Sequence, residues 1–198
     1  MTIFEEKKFN IPELKGISAK NIEEHLKLYS GYVRHANLII EKIDEYKKDA
    51  EANAFVLGEL QRRFAFEFDG MRNHEHYFRS LEGGPIALAT DGALAKALEK
   101  EWGSVDNALN RFKAVAFTRG IGWAVIYYDP ISGHLLTQWI DEQHLAHLNG
   151  AHWILGIDMW EHSYVYDYQP SGKKNYVEDF FTNLNWGVIE ENFRLTSK

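Results

Sequence analysis

The sequence predicts an α+β fold: an N-terminal long helical hairpin followed by an α/β lobe with a three-stranded antiparallel sheet. Three observations predict it. Apolar residues recur at three- and four-residue spacing over residues 22–46 and again over about 53–81, the period of two long amphipathic helices. Glu82-Gly83-Gly84-Pro85 then halts the second helix. Beyond that break, residues 122–128 alternate with β-branched and aromatic side chains, and Asp129-Pro130-Ile131-Ser132-Gly133 supplies a turn.

The elements follow in order. Residues 1–16 read as extended and irregular, punctuated by Pro12 and Gly16. Ser18 is the expected cap of the first helix, with Asn21 the alternative, and Lys47-Lys48-Asp49 closes it. After the Gly-Gly-Pro break, residues 91–102 and 104–118 form two shorter amphipathic helices, the second capped by Ser104. Strands are expected over 122–128, 134–140 and about 152–157, and short helices over 175–181 and 185–193. Two domains are expected, a helical hairpin over residues 1–84 and an α+β unit over 85–198, with a site between them.

Composition bounds the chemistry. A chain of 198 residues with 45% hydrophobic and 14% aromatic content can bury a sizeable core. Its net charge of −7 disfavours nucleic-acid and membrane-surface partners, and an anionic substrate would need locally concentrated positive charge. Cysteine is absent, which excludes disulfides, thiolate metal sites and cysteine nucleophiles. The opening Met-Thr-Ile-Phe-Glu-Glu-Lys-Lys has no apolar signal core, and no run of eighteen apolar residues occurs, so a cytoplasmic location is expected.

The strongest chemical feature is Asp158-Met159-Trp160-Glu161-His162, a carboxylate and an imidazole four residues apart. That donor pair suits manganese, iron or zinc better than calcium or a soft metal. The apolar residues 153–157 deliver Asp158 from the interior, where a carboxylate is costly unless paired or coordinating an ion. A capping aspartate beside a packed histidine is the plain alternative. His74 lies on the second long helix. His76, two residues on, points elsewhere, and the His-Glu-x-x-His protease spacing is absent. His25, Tyr29 and Tyr32 share one face of the first helix, and taken alone they read as an aromatic packing stripe.

Taken together, these segments resemble the iron/manganese superoxide dismutases over nearly the full chain. The matching stretches are residues 17–25 ending in His25, Asn73-His74 with Tyr77-Phe78, Gly120-Ile121-Gly122-Trp123, residues 155–162 ending in Glu161-His162, and Asn183-Leu184-Asn185-Trp186. The resemblance implies one manganese or iron ion per chain, held by His25, His74, Asp158 and His162 with a solvent molecule as fifth ligand. It implies a superoxide-dismutating enzyme in which Tyr32 stands at the substrate funnel, Trp123 walls the cavity and Gln143 hydrogen-bonds the bound solvent. It implies a homodimer or tetramer, with Glu161 reaching the partner's His162 to orient that imidazole. Glycine at Gly70 with glutamine at Gln143 is similar to the manganese-type members.

The chain departs from the family at three places. His25 and Tyr32 are seven residues apart where eight is usual, which leaves Glu24 as a rival ligand. One residue fewer can remove a π-type bulge while keeping both groups on one face. Tyr29 and Val165 replace a histidine and a tyrosine, so the usual hydrogen bond across the dimer interface is expected to be absent. Glu142-Gln143-His144 replaces asparagine-glutamine-aspartate, leaving His144 as the rival to Gln143. Lys27, Lys173 and Lys174 are candidates for steering the anion. A second class of function stays open: a metal-binding homodimer on the same fold with weak dismutase or peroxidase-like activity.

Overall fold

The computed structural model describes residues 3–197. Helix α1 (Ala19–Tyr46) starts at Ser18, whose hydroxyl accepts from the Asn21 backbone N–H, the expected cap. It is unbroken α-helix over its whole length, with no π segment between His25 and Tyr32. A 3₁₀ turn (Lys47–Asp49) leads into α2 (Ala54–Arg79), and the two helices pack as the antiparallel hairpin. The N-terminal segment straps this hairpin. The Lys7 N–H donates to the Tyr29 hydroxyl at 2.9 Å, and Tyr29 donates to buried Glu75 at 3.2 Å. Glu75 also accepts from Lys7 Nζ and Arg72.

Helices α3 (Ala93–Trp102) and α4 (Val105–Ala116) follow, the latter capped by Ser104 as expected. The sheet comprises β1 (Gly122–Asp129), β2 (His134–Asp141) and β3 (His152–Asp158) in the order β2-β1-β3, all antiparallel. The turn between β1 and β2 is closed by Asp129, whose carboxylate accepts from Ile131 and Ser132. Gly122 has no room for a side chain, because a Cβ would collide with the Ile140 carbonyl across the β1–β2 ladder. The β1–β3 register shifts at Ile126/Tyr127, a bulge. Past it, Trp123 pairs with Asp158.

Helix α2 packs on β3, α4 on β1 and β2, and α6 (Trp186–Thr196) on β3. Helix α5 (Lys173–Asn183) begins two residues earlier than expected, because the 3₁₀ turn Pro170–Gly172 feeds directly into it. The last helix also runs past the expected end at 193, to Thr196. One hydrophobic core joins residues of the hairpin, the sheet and the C-terminal helices. No described helix is long and apolar enough to cross a membrane.

Candidate metal centre

Four elements meet at one point. α1 brings His25, α2 brings His74, the end of β3 brings Asp158, and the 3₁₀ turn Glu161–Ser163 brings His162. One donor atom from each of the four lies within 4.8 Å of all the others. The Nε2 atoms of His25, His162 and His74 stand 3.1, 3.0 and 3.5 Å from Asp158 Oδ2. Donors each about 2 Å from one ion sit roughly 3–4 Å apart, so this spacing fits a shared small cation.

Orphaned atoms carry the fit further. His74 Nδ1 donates to the Gly70 carbonyl at 2.6 Å, which leaves a lone pair on Nε2. That Nε2 is fully buried and has no hydrogen-bond partner among the described residues. Three imidazoles and one carboxylate on a single point are costly in a dry interior unless a cation joins them. Burial holds His25 below the ordinary imidazole value, against an opposing hydrogen bond to Asp158. Burial, reinforced by neighbouring His25, lowers His74 well below it. Both rings are therefore neutral near neutral pH, the form that ligates. Burial alone would raise the Asp158 carboxyl, but His162 and then His25 outweigh it and hold the group ionised.

The ligand candidates are themselves braced. Asp158 Oδ1 accepts from the Trp160 N–H at 2.8 Å, which turns Oδ2 toward the imidazoles. The Asp158 carbonyl accepts from Tyr176 Oη at 2.9 Å and Ser163 Oγ at 3.0 Å. Trp160 stacks on His162. His25 and Glu24, left open by sequence, separate cleanly. His25 is buried, whereas Glu24 faces solvent and pairs with Lys20 and Lys27.

Trp123, Gln143 and Tyr32 surround the cluster. Buried Trp123 packs edge-on against His74 and donates its indole N–H to Gln143 Oε1 at 2.9 Å. The Gln143 side-chain amide donates to the Tyr32 hydroxyl at 3.0 Å. Burial, then nearby Asp158 and Glu67, push the Tyr32 hydroxyl upward, so it keeps its proton. His144 turns away from this network and packs against Phe66. Gly70 is bare because the Tyr32 ring lies on it; a Cβ there would sit 2.6 Å from Tyr32 Cδ1.

Other expectations resolve differently. The Tyr29 hydroxyl is spoken for within its own chain by Lys7 and Glu75. Val165 is half-buried and Glu161 is exposed beside His162. Lys27 is paired with Glu23 and Glu24, which neutralises it as a steering charge. Lys173 donates to the Thr118 carbonyl and lies over Trp139, on the α4 side of the sheet. Lys174 is exposed. His76 stacks on Trp153 and stays out of the cluster. Sequence reasoning singled out Asn73 only as His74's neighbour and missed its hydrogen bond to the Gln143 carbonyl at 2.8 Å, and missed the Tyr176–Ser163 brace. Adjacency to His74 was the one available signal, and only for Asn73.

A buried set of three imidazoles and one carboxylate, held between a helical hairpin and the end of a small antiparallel sheet, defines a candidate single-ion site of nitrogen and oxygen donors. Residues 90–192 match the family model described as iron/manganese superoxide dismutases, C-terminal domain. The chain is 34% identical over 190 residues to the superoxide dismutase [Fe] of Aquifex aeolicus, covering 93% of this chain and 88% of that one. It is 36% identical to the superoxide dismutase [Fe] of Cupriavidus metallidurans, covering 88% and 87% of the two chains. To the superoxide dismutase [Mn] of Mycolicibacterium smegmatis it is 33% identical, over 85% and 80%. The chain belongs to the iron/manganese superoxide dismutase family.

Proposed function

We propose that this protein is a superoxide dismutase, converting superoxide to oxygen and hydrogen peroxide at one manganese or iron ion held by His25, His74, Asp158 and His162. The observation that carries this is the convergence of those four side chains, with a buried imidazole nitrogen left unpartnered, in a chain of this family. When bound, such an ion supplies one-electron chemistry, cycling between its trivalent and divalent states. The chain's own residues do the rest. The ionised Asp158 and neutral imidazoles set the charge of the site. Tyr32, kept protonated, holds a proton at its hydroxyl beside the cavity. Gln143 is fixed at both ends of its amide, by Trp123 and by Tyr32, so its dipole is preorganised. Trp123 packs on His74 and Tyr77 on His25, which helps keep both rings buried.

The same reading takes the chain as two domains, 1–84 and 85–198, that close around the ion, and as a cytoplasmic protein. It takes the assembly as a homodimer or a tetramer, with exposed Glu161 reaching the partner's His162. Since Tyr29 is engaged internally, such an interface would rest on Glu161 more than in relatives with the usual histidine–tyrosine bond. The choice between manganese and iron follows the glycine at Gly70 and the glutamine at Gln143, which favours manganese. The test is to load the purified chain separately with each metal, measure metal content, and assay superoxide removal. One ion per chain with rapid removal in at least one form is the expected result. Stoichiometric metal with no removal in either form would return the protein to the metal-binding class.

A further inference from the structure

We infer that His147 is a positioning residue for Gln143. The inference rests on the dismutase reading only for its kinetic consequence; the geometry stands independently. Gln143 lies in the loop between β2 and β3, where Glu142 (φ 53°) and Ala146 (φ 75°) both adopt left-handed backbone without being glycine. Strained positions of this kind persist only where the surroundings over-determine them. Here the restraints are visible. The Glu142 N–H donates to the Ile121 carbonyl, and Asp141 and Leu145 exchange two backbone hydrogen bonds. The Glu142 carbonyl accepts from the Trp160 indole at 3.1 Å. These fix the start of the loop.

The Gln143 backbone is fixed by His147. The Gln143 carbonyl can only accept, so His147 Nε2, 3.0 Å away, carries the hydrogen and donates to it. In the neutral ring Nδ1 is then the acceptor, and the Tyr127 hydroxyl, 2.7 Å away, donates to it. Tyr127 sits in the middle strand of the sheet and is buried. Asn73, next to His74 on α2, donates to the same carbonyl at 2.8 Å. Gln143 is thus tied to the sheet through Tyr127 and His147, and to the ligand-bearing helix through Asn73. Its side chain then reaches Trp123 and Tyr32 from a backbone that cannot swing. One edge of His147 borders a surface cleft also lined by Asp69, His76 and Trp153, so a side chain of different shape can replace the ring there.

The Trp123 indole N–H reports the placement of the Gln143 amide directly, because it donates to that amide's oxygen. The experiment is to record this indole resonance by ¹H–¹⁵N NMR on the full-length chain without added metal, assigned through Trp123→Phe. In parallel, superoxide removal is measured on the manganese-loaded chain. His147→Leu is expected to move the resonance and slow removal by about tenfold, the lower end of the loss usual when a support of a metal site is removed. His147→Gln, whose amide can donate from near the Nε2 position, is expected to restore both. Should His147→Leu fail to fold, Tyr127→Phe keeps the core filled and is expected to move the resonance in the same direction. An unmoved Trp123 resonance in every folded variant overturns the inference, as does lowered stability without rescue by glutamine. A moved and rescued resonance in a chain whose wild type removes no superoxide supports the positioning role and sinks the dismutase reading alone.

Discussion

Gly70→Ala sets two ordinary effects against each other, and the structure decides which prevails. Gly70 is interior to α2, where alanine is favoured over glycine by about 0.5–1 kcal/mol. A Cβ at Gly70, however, would lie 2.6 and 2.7 Å from Cδ1 and Cε1 of the Tyr32 ring, a rigid group with no flexible end to yield. Overpacking of that kind costs about 1–3 kcal/mol. Displacing the ring also strains the Tyr32–Gln143 hydrogen bond, worth about 1 kcal/mol. The balance is a loss of about 1–3 kcal/mol, or roughly 2–12 °C in Tm for a chain of this size. Gly31 on α1 and Gly58 on α2 are the controls. Nothing lies within 4 Å of a Cβ at either. Alanine there should raise Tm by roughly 1–4 °C. Thermal unfolding followed by circular dichroism on all three variants gives the comparison, with superoxide removal measured alongside. In a Tyr32→Ala background the Gly70→Ala penalty should vanish. A Gly70→Ala chain that gains stability like the controls and keeps full rate would refute the packing of Tyr32 on Gly70.

Three further outcomes are expected. His25→Ala should lose most bound manganese or iron by elemental analysis, whereas Glu24→Ala should keep wild-type metal content and rate; the reverse pattern would exchange their roles. Gln143→Leu leaves the buried Trp123 N–H without its acceptor, which costs about 1–3 kcal/mol. It should slow superoxide removal about 10–100-fold while metal content is retained, as assayed on the loaded chain. Burial pushes the Tyr29 hydroxyl from its ordinary 10.0 up to about 12. The folded chain therefore holds a proton that the unfolded chain has lost across that window. This stabilisation, on the order of 2–3 kcal/mol, is complete below pH 10 and disappears as pH rises toward 12. Urea midpoints measured from pH 9 to 12 should fall more steeply for wild type than for Tyr29→Phe.

Much of this architecture is written in local patterns. Ser18 and Ser104 cap their helices as their residue type predicts, and the Asp129–Gly133 turn joins the two strands expected to flank it. These are short-range effects, readable from neighbours in the chain. The pairing of Asp158 with His162 was legible for the same reason. His25 against Glu24 was not, because one residue of helix is a rotation of about 100°. Only the docking of α1 against α2 sends His25 inward and leaves Glu24 among lysines. The lysines expected to steer an anion are another case. Lys27 is satisfied by carboxylates one helical turn before it, while Lys173 is engaged by Thr118 and Trp139. The supports of Gln143 were illegible because Asn73 reaches its carbonyl from 70 positions upstream and Tyr127 acts on it only through His147.

His25 and Asp158 stand 133 positions apart along the chain, yet their side chains end 3.1 Å from each other. During synthesis, the early histidines emerge on a hairpin that forms from local contacts, long before the last strand exists to supply the carboxylate. Until then only two of the site's four ligands, His25 and His74, are in place for a passing cation, a weak and unselective grip. Tight capture has to wait until the far half of the polypeptide has been made and has docked. Which metal a cell delivers at that late moment becomes a question of supply and timing as much as of donor chemistry.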